Sequence, residues 1–383
     1  MKRNIVTGID IGTNTTRVII AEIAKESGLP HIVGMGSAES KGMRSGYVVN
    51  INEITKSVRA ALNMAEKDSG IRARSVFLSI GGIGLESFVG HGSVMISRAD
   101  NEVTDMDMEK VVVAAKEKLG LVNKRIIETV PVSYKLDNKE VYGDPVGLKG
   151  SKLEAKIFFI VCFEPHLNDI IQATEDAGVD VEDAIPAPIA ASLVALTKRQ
   201  RIAGCLLANI GAETVSIAVF ENDIPISLEV FLVGSTDITN DIALGFQVPL
   251  EEAENMKKEK IQTFEVKKLN EIIEARLADI FELIELHLKK IDRNGLLPAG
   301  IIITGGGAGI ATIEDFAKSA LALPSKIAHM HINNCENGFQ DSLWFVAYGL
   351  CIFGFNQTKK SPTGEIISKN LQGFFSWLRQ LLP

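Results

Sequence analysis

The sequence predicts an α/β protein built as two related lobes around one cleft. Two observations lead there. The first is that the chain repeats its own opening: residues 5–23 read as an apolar strand, a glycine turn and a second apolar strand, and residues 205–220 read the same way. With the glycines aligned, Asp10 meets Asn209, Gly12 meets Gly211 and Thr15 meets Thr214, an offset of 199 in a chain of 383 residues. Similarity at that range implies two related units rather than a local motif. The second is the strand-like run Ile301-Ile302-Ile303, which delivers a glycine cluster at Gly305, Gly306, Gly307 and Gly309.

Composition narrows the class. Apolar residues make up 46% and charged residues 23%, enough for two or three ordinary cores and unlike a disordered, collagenous or disulfide-built chain. Forty Lys and Arg against 48 Asp and Glu leave a net charge of -8, so no general basic face for nucleic acid is expected. Cys162, Cys205, Cys335 and Cys351 are far apart and form no CxxC pair, which reads as buried free thiols in a reducing compartment. The opening lacks a signal peptide's apolar stretch. The longest apolar run, 343–355, is too short to span a bilayer and contains Gly349 and Gly354. His329 and His331 alternate without an acidic or thiol companion, so no zinc site is read there. No nucleophile elbow is present, and Gly81-Gly82-Ile83-Gly84 lacks the spacing of a dinucleotide fingerprint.

Both glycine hairpins suit a phosphate. A tight turn without bulky side chains leaves successive backbone N–H groups free to point at an anion. Thr13 and Thr15 add hydroxyl donors, and Asp10 at the strand end can hold a hydrated divalent cation beside phosphates. The glycine loop after 301–303 lets a flat ligand, an adenine ring or a ribose, approach the backbone.

These residues resemble the actin/sugar-kinase/70-kDa chaperone superfamily: a first phosphate loop at 10–15, a second at 209–214 and an adenosine loop at 304–307. Within it the chain is most similar to the bacterial cell-division FtsA family. The likeness follows the chain in order. Ser45-Gly46-Tyr47-Val48-Val49-Asn50-Ile51 leads into a helix ending near Lys67, and 74–82 form a strand and turn. Val103-Thr104-Asp105 open a helix; Glu128-Thr129-Val130-Pro131 with Tyr134, then Asp144-Pro145-Val146-Gly147-Leu148 and Leu153-Glu154-Ala155-Lys156, complete the matched blocks.

The resemblance implies an actin-like ATPase fold with a nucleotide cleft, each lobe carrying a small inserted subdomain. The first lobe takes 1–82, 162–192 and 342–356, with an insertion at 83–161. That insertion is expected to hold strands near 87–97, 126–136 and 152–161 and a helix at 105–119. The second lobe takes 193–240 and 300–341, with its insertion at 241–299. It implies ATP and Mg2+ as cofactors. Gly12, Thr13, Asn14 and Thr15 would cradle phosphates from one side, and Gly211, Ala212, Glu213 and Thr214 from the other. Asp10 and Asn209 would face the metal, and Gly305, Gly306 and Gly307 the adenosine. Glu254 and Lys257, three apart on one helix face, resemble the superfamily's nucleoside contact.

Two departures stand out. Asn209 replaces the family's usual aspartate, and Ser216 another; Glu213 sets a carboxylate where phosphates are expected, an electrostatic cost unless metal or a rotamer relieves it. ATP binding with at most slow hydrolysis is the expectation. The second insertion is also short: after Lys260 only residues 261–266 precede a long helix, where FtsA-type proteins carry a small sheet in the subdomain that receives the FtsZ C-terminal tail. The helix itself keeps a stripe of Ile273, Leu277, Ile280, Phe281, Ile284 and Leu288.

The C-terminus reads as a polar linker, 357–364, and an amphipathic helix, 365–383. Ile367, Leu371, Phe374, Leu378 and Leu381 share one face, widened by Phe375 and Leu382, with Trp377 suited to the interface. The implied function is an ATP-binding actin-like protein that polymerises at the cytoplasmic face of the cell membrane, on an anionic surface, and anchors FtsZ filaments at the division site. Its partners would be FtsZ, itself in filaments, and other division proteins. The alternative is a PilM-type pilus assembly adaptor, which binds a cytoplasmic peptide of an inner-membrane protein.

Overall fold

The computed structural model describes residues 4–23, 29–258, 266–329 and 342–358. The 365–383 segment, with its apolar set from Ile367 to Leu382, lies outside them, as do Cys335, His331 and residues 259–265.

The chain opens with an antiparallel meander, β1 (Ile5–Ile11), β2 (Thr15–Glu22) and β3 (His31–Glu39), then a small hairpin, β4 (Met43–Arg44) and β5 (Tyr47–Val48). Helix α1 (Ile51–Ser69) starts where Asn50 accepts the Glu53 N–H and stops at Gly70 in the left-handed region. It buries Ile54, Val58, Ala61, Leu62 and Ala65, the stripe its periodicity dictates. Strand β6 (Ser75–Ile80) follows. Next come β7 (Glu86–Met95), α2 (Asp105–Lys116), β8 (Lys124–Leu136), β9 (Lys139–Val141) and β10 (Lys152–Phe163). They form a separate four-stranded sheet ordered β7-β10-β8-β9, with α2 on one face over its own core. Helix α3 (Glu164–Asp176), strand β11 (Asp180–Pro186) and helix α4 (Ala187–Ala195) return to the first sheet.

The second half begins with α5 (Lys198–Ala203) and repeats the meander as β12 (Cys205–Ile210), β13 (Val215–Glu221) and β14 (Ile224–Phe231). Helices α6 (Ser235–Phe246), α7 (Leu250–Lys258) and α8 (Val266–Lys290) precede β15 (Ile301–Thr304), α9 (Ile313–Leu321), β16 (Ser325–Ile327) and the closing α10 (Phe345–Thr358). Between 241 and 299 the described residues hold helices and no strand.

The two large sheets have one topology. Their strand orders, β3-β2-β1-β6-β11 and β14-β13-β12-β15-β16, are each an antiparallel meander continued by two parallel strands. Such central strands are buried on both faces and so read as near-continuous apolar runs. In β12 the two faces separate with the pleat: Leu206, Ala208 and Ile210 join the core under α6, α8 and α9, while Cys205 and Leu207 join the core shared with the first lobe. On α8, Leu277, Ile280, Phe281, Ile284 and Leu288 are fully buried. Each contributes roughly 1.5–3 kcal/mol of transfer free energy before chain entropy is counted. Helix α10 returns to the first lobe, where Phe353 meets Phe77 edge-on and the Tyr348 hydroxyl donates to the Pro30 carbonyl at 2.8 Å.

Candidate functional site

The two glycine hairpins are equivalent rung by rung. Asp10 pairs with Arg17 and Ile11 with Thr16; Asn209 pairs with Ser216 and Ile210 with Val215. The same offset of 199 therefore relates every pair. Each turn is closed alike, by Gly12 N–H to Thr15 O at 3.2 Å and Gly211 N–H to Thr214 O at 2.9 Å. Residues 12–14 and 211–213 stand outside the strand ladders and are at least partly exposed.

The third glycine loop has a counterpart that sequence reading did not pair with it. Strand β6 lies beside β1 as β15 lies beside β12, so Ser79-Ile80-Gly81-Gly82 corresponds to Thr304-Gly305-Gly306-Gly307. Gly305 has φ +89, and a Cβ there would lie 2.4 Å from Asn209 Oδ1 and 2.5 Å from the Ile210 carbonyl. The Asn209 amide is thus packed over the glycine loop. Gly307 seats against Ile210 in the same way, whereas Gly306 is exposed.

Electrostatics distinguish the hairpins. The Asp10 carboxylate accepts the Ser79 hydroxyl at 2.7 Å. Burial raises its pKa above the ordinary value, opposed by that bond and by Arg17. A partly buried carboxylate of this kind, beside a phosphate-type turn, fits Mg2+, which is commonly held by one or two carboxylates with waters and phosphate oxygens. Among the described residues no group of three or more His, Cys, Asp or Glu could hold a metal by itself. At the equivalent position Asn209 brings no charge.

Glu213, expected to crowd the phosphates, is turned aside. Its carboxylate accepts the backbone N–H of Ser45, in the other lobe. Glu254 and Lys257 are joined at 2.6 Å and bound to α6, with Lys257 Nζ donating to the Ser235 carbonyl at 3.0 Å and sharing Thr239 with Glu254. Burial lowers the Lys257 pKa, offset in part by Glu254. For Glu254 burial acts upward, but the bonds from Lys257 and Thr239 outweigh it and the net shift is down. The start of α6 in turn meets the second loop, through Ser235 N–H to Gly211 O at 2.9 Å and Thr236 N–H to Ala212 O at 2.8 Å. Glu254 and Lys257 therefore adjoin the second glycine turn by way of α6.

Residues 342–344, which the motif reading passed over, join the lobes at the glycine loop. Thr304 Oγ1 donates to the Ser342 carbonyl at 3.2 Å, and Trp344 lies 5.8 Å from the Arg17 guanidinium. A third join is at Ser87, whose hydroxyl donates to Leu228 O at 2.8 Å and accepts Leu228 N–H at 3.0 Å. The inserted sheet is thereby pinned to β14.

A groove of about 670 Å³ lies where the inserted unit meets the first lobe, lined by residues including Lys124, Arg125, Glu128, Glu164 and Asp183. Burial first, and then the Asp183 charge, push the Glu128 carboxyl up to about 8. No helix among the described residues is long and apolar enough to cross a membrane.

Comparison with known proteins agrees with this geometry. The family model for cell division protein FtsA matches residues 206–349, and the model for the SHS2 domain inserted in FtsA matches 82–161, together more than half of the chain. Cell division protein FtsA of Pseudomonas aeruginosa is 27% identical over 376 residues, covering 92% of this chain and 89% of that protein. Among solved structures, a chain of the PilM–PilN type IV pilus biogenesis complex superposes with a TM-score of 0.69 at 17% identity, covering 91% of this chain and 98% of that one. MreB5 of Spiroplasma citri bound to ADP gives 0.56 at 13% identity, covering 94% and 99%. The fold is the actin-like ATPase fold, and the chain belongs to the FtsA family of cell-division proteins.

Proposed function

We propose that this chain binds ATP with Mg2+ between its lobes, polymerises on the cytoplasmic membrane face and anchors FtsZ filaments there during division. The observation that supports it most is the pair of phosphate-type hairpins in identical register on two sheets of one topology. In this reading the N–H groups and hydroxyls at Gly12, Thr13, Asn14 and Thr15 bind phosphates from the first lobe. Gly211, Ala212 and Thr214 do so from the second. Asp10, held by Ser79, orients the metal ion, which supplies charge neutralisation when bound. Gly305, Gly306 and Gly307 form the floor under the nucleoside, with Glu254 and Lys257 behind it. With a neutral Asn209 on the second side, less charge is available to order an attacking water, so turnover is slow.

The subdivision is proposed as 1–82, 162–192 and 342–356 for the first lobe, 83–161 for its insertion, 193–240 and 300–341 for the second lobe and 241–299 for its shortened insertion. Residues 365–383 supply the membrane-facing helix, through Ile367, Leu371, Phe374, Phe375, Trp377, Leu378, Leu381 and Leu382. One such helix binds weakly, whereas a filament binds through many.

The test is co-sedimentation with anionic liposomes, with and without Mg-ATP, using the full chain and a chain ending at Pro362. Pelleting that requires the tail and increases with Mg-ATP is expected. A full chain that stays in the supernatant under both conditions refutes the membrane-polymer reading. Binding of an FtsZ tail peptide, measured by fluorescence anisotropy on the full chain, checks the partner, and no binding removes FtsZ from the proposal.

A further inference from the structure

We propose that Glu213 is a positioning residue for the nucleotide: by gripping the Ser45 N–H it sets the spacing between the two phosphate loops. The proposal rests on the cleft being the nucleotide site.

Glu213 stands at the tip of the second loop, and the group its carboxylate accepts from belongs to the first lobe. Ser45 lies in the connection between β4 and β5, in the left-handed region at φ +53, followed by Gly46 at φ +76. That connection is clamped on both sides. On one side, a Cβ at Gly46 would lie 2.5 Å from the Gly82 Cα; on the other, it would lie 3.6 Å from the Thr214 methyl group. Gly82 is three residues beyond Ser79, which holds Asp10. A short mechanical path thus runs from Glu213 through Ser45, Gly46 and Gly82 to the carboxylate at the base of the first loop.

The repeat sharpens the case. The counterpart of Glu213 in the first hairpin is Asn14, which is exposed and whose carbonyl accepts the Ser40 N–H at 3.0 Å within its own lobe. Of these two equivalent positions, the one that carries a carboxylate is the one that reaches across the cleft. A carboxylate bonded to a backbone N–H forms a charge-assisted hydrogen bond, about twice as strong as a neutral one.

A bystander carboxylate and a positioning one predict opposite signs. If Glu213 merely adds negative charge near the phosphates, removing it tightens nucleotide binding. If it positions the loops, removing it weakens binding.

The experiment uses the full-length chain and its Glu213→Ala, Glu213→Gln and Glu213→Asp variants. Two quantities are measured: affinity for a fluorescent ATP analogue with Mg2+, and backbone amide exchange across residues 43–48 without nucleotide. Glu213→Ala is expected to bind about tenfold more weakly and to exchange the Ser45 amide faster. Glu213→Gln keeps an acceptor oxygen at the same reach and recovers most of both. Glu213→Asp keeps the charge, is one methylene too short, and behaves like alanine. Equal or tighter binding by Glu213→Ala overturns the proposal, as does a Glu213→Asp chain that matches wild type in both measurements. A wild-type chain that binds no nucleotide refutes the site itself. Unchanged exchange at Ser45 in Glu213→Ala refutes the tie, whatever the nucleotide result.

Discussion

The two glycine hairpins share register, turn closure and neighbouring strands, yet differ in what they hold. The first keeps a partly buried carboxylate, Asp10, steadied by Ser79 and facing Arg17 across the ladder. The second has a neutral Asn209 packed over Gly305, and the carboxylate in its turn, Glu213, is engaged by the opposite lobe. Backbone geometry was retained in both copies while charge was kept in one. The shape of a phosphate turn is set by its glycine and its ladder, whereas its chemistry is set by one side chain at the strand end. The two therefore diverge independently.

The largest effect is expected where the repeat is tightest. Gly305→Ala after β15 and Gly82→Ala in the equivalent turn after β6 each place a Cβ at positive φ, +89 and +85, and 2.4 Å from a neighbouring oxygen. Each is expected to cost on the order of 3 kcal/mol, read as a lowered melting temperature. A large loss in one and none in the other breaks the equivalence of the turns.

Next come carboxylates of the two insertions. In the second, Asp241 accepts a two-pronged bond from Arg276, at 2.7 and 3.1 Å. In the first, Glu128 is a buried carboxyl raised from 4.5 to about 8. Because its folded value exceeds the unfolded one, the fold prefers the protonated form, and stability declines as pH rises from about 4.5 toward 8. Glu128→Gln is expected to stabilise the chain by a few kcal/mol, about 2 or more, at pH 8 and hardly at all at pH 4.5. Thermal melts at the two pH values decide it, and an equal gain at both is inconsistent with the titration.

The charge asymmetry can be exchanged directly. Asp10→Asn is expected to weaken Mg2+-dependent nucleotide affinity about tenfold while leaving the melting temperature equal or higher, since a desolvated charge is removed. Asn209→Asp should leave the Mg2+ dependence in place. Calorimetric titration with and without Mg2+ separates the two, and Asp10→Asn with undiminished Mg2+ dependence removes Asp10 from the site. The smallest effects are at the hydroxyls, Ser79→Ala and Thr304→Val, each about 1 kcal/mol or less in unfolding experiments. A loss of several kcal/mol at either one assigns it a larger role than one hydrogen bond.

Much of this was legible in the sequence because it is written as apolar runs ended by glycine. The two hairpins, the 301–304 strand and the α8 stripe follow from periodicity and turn chemistry, while the place of 342–356 in the first lobe came from the resemblance. Within the first insertion, strands expected near 87–97, 126–136 and 152–161 are found at 86–95, 124–136 and 152–163, and the helix expected at 105–119 is α-helical over 105–116. The three-residue β9 has too little pattern to announce itself. The match of Gly81-Gly82 with Gly306-Gly307 was hidden by unequal insertions: one follows β6, the other precedes β15, so no single offset aligns all strands. The Glu213 bond was illegible for another reason. Its acceptor shows in the sequence, but its donor is a backbone N–H, and every residue except proline has one.

The join at Ser87 also affects the outer margin of the second sheet. Strand β14 is its last strand on that side, and a terminal strand offers unpaired N–H and C=O groups to any passing extended segment. Ser87 takes both groups of Leu228 with a single hydroxyl, so one rung of that open ladder is filled by a side chain instead of a strand. The inserted sheet thereby guards the margin against unwanted strand addition.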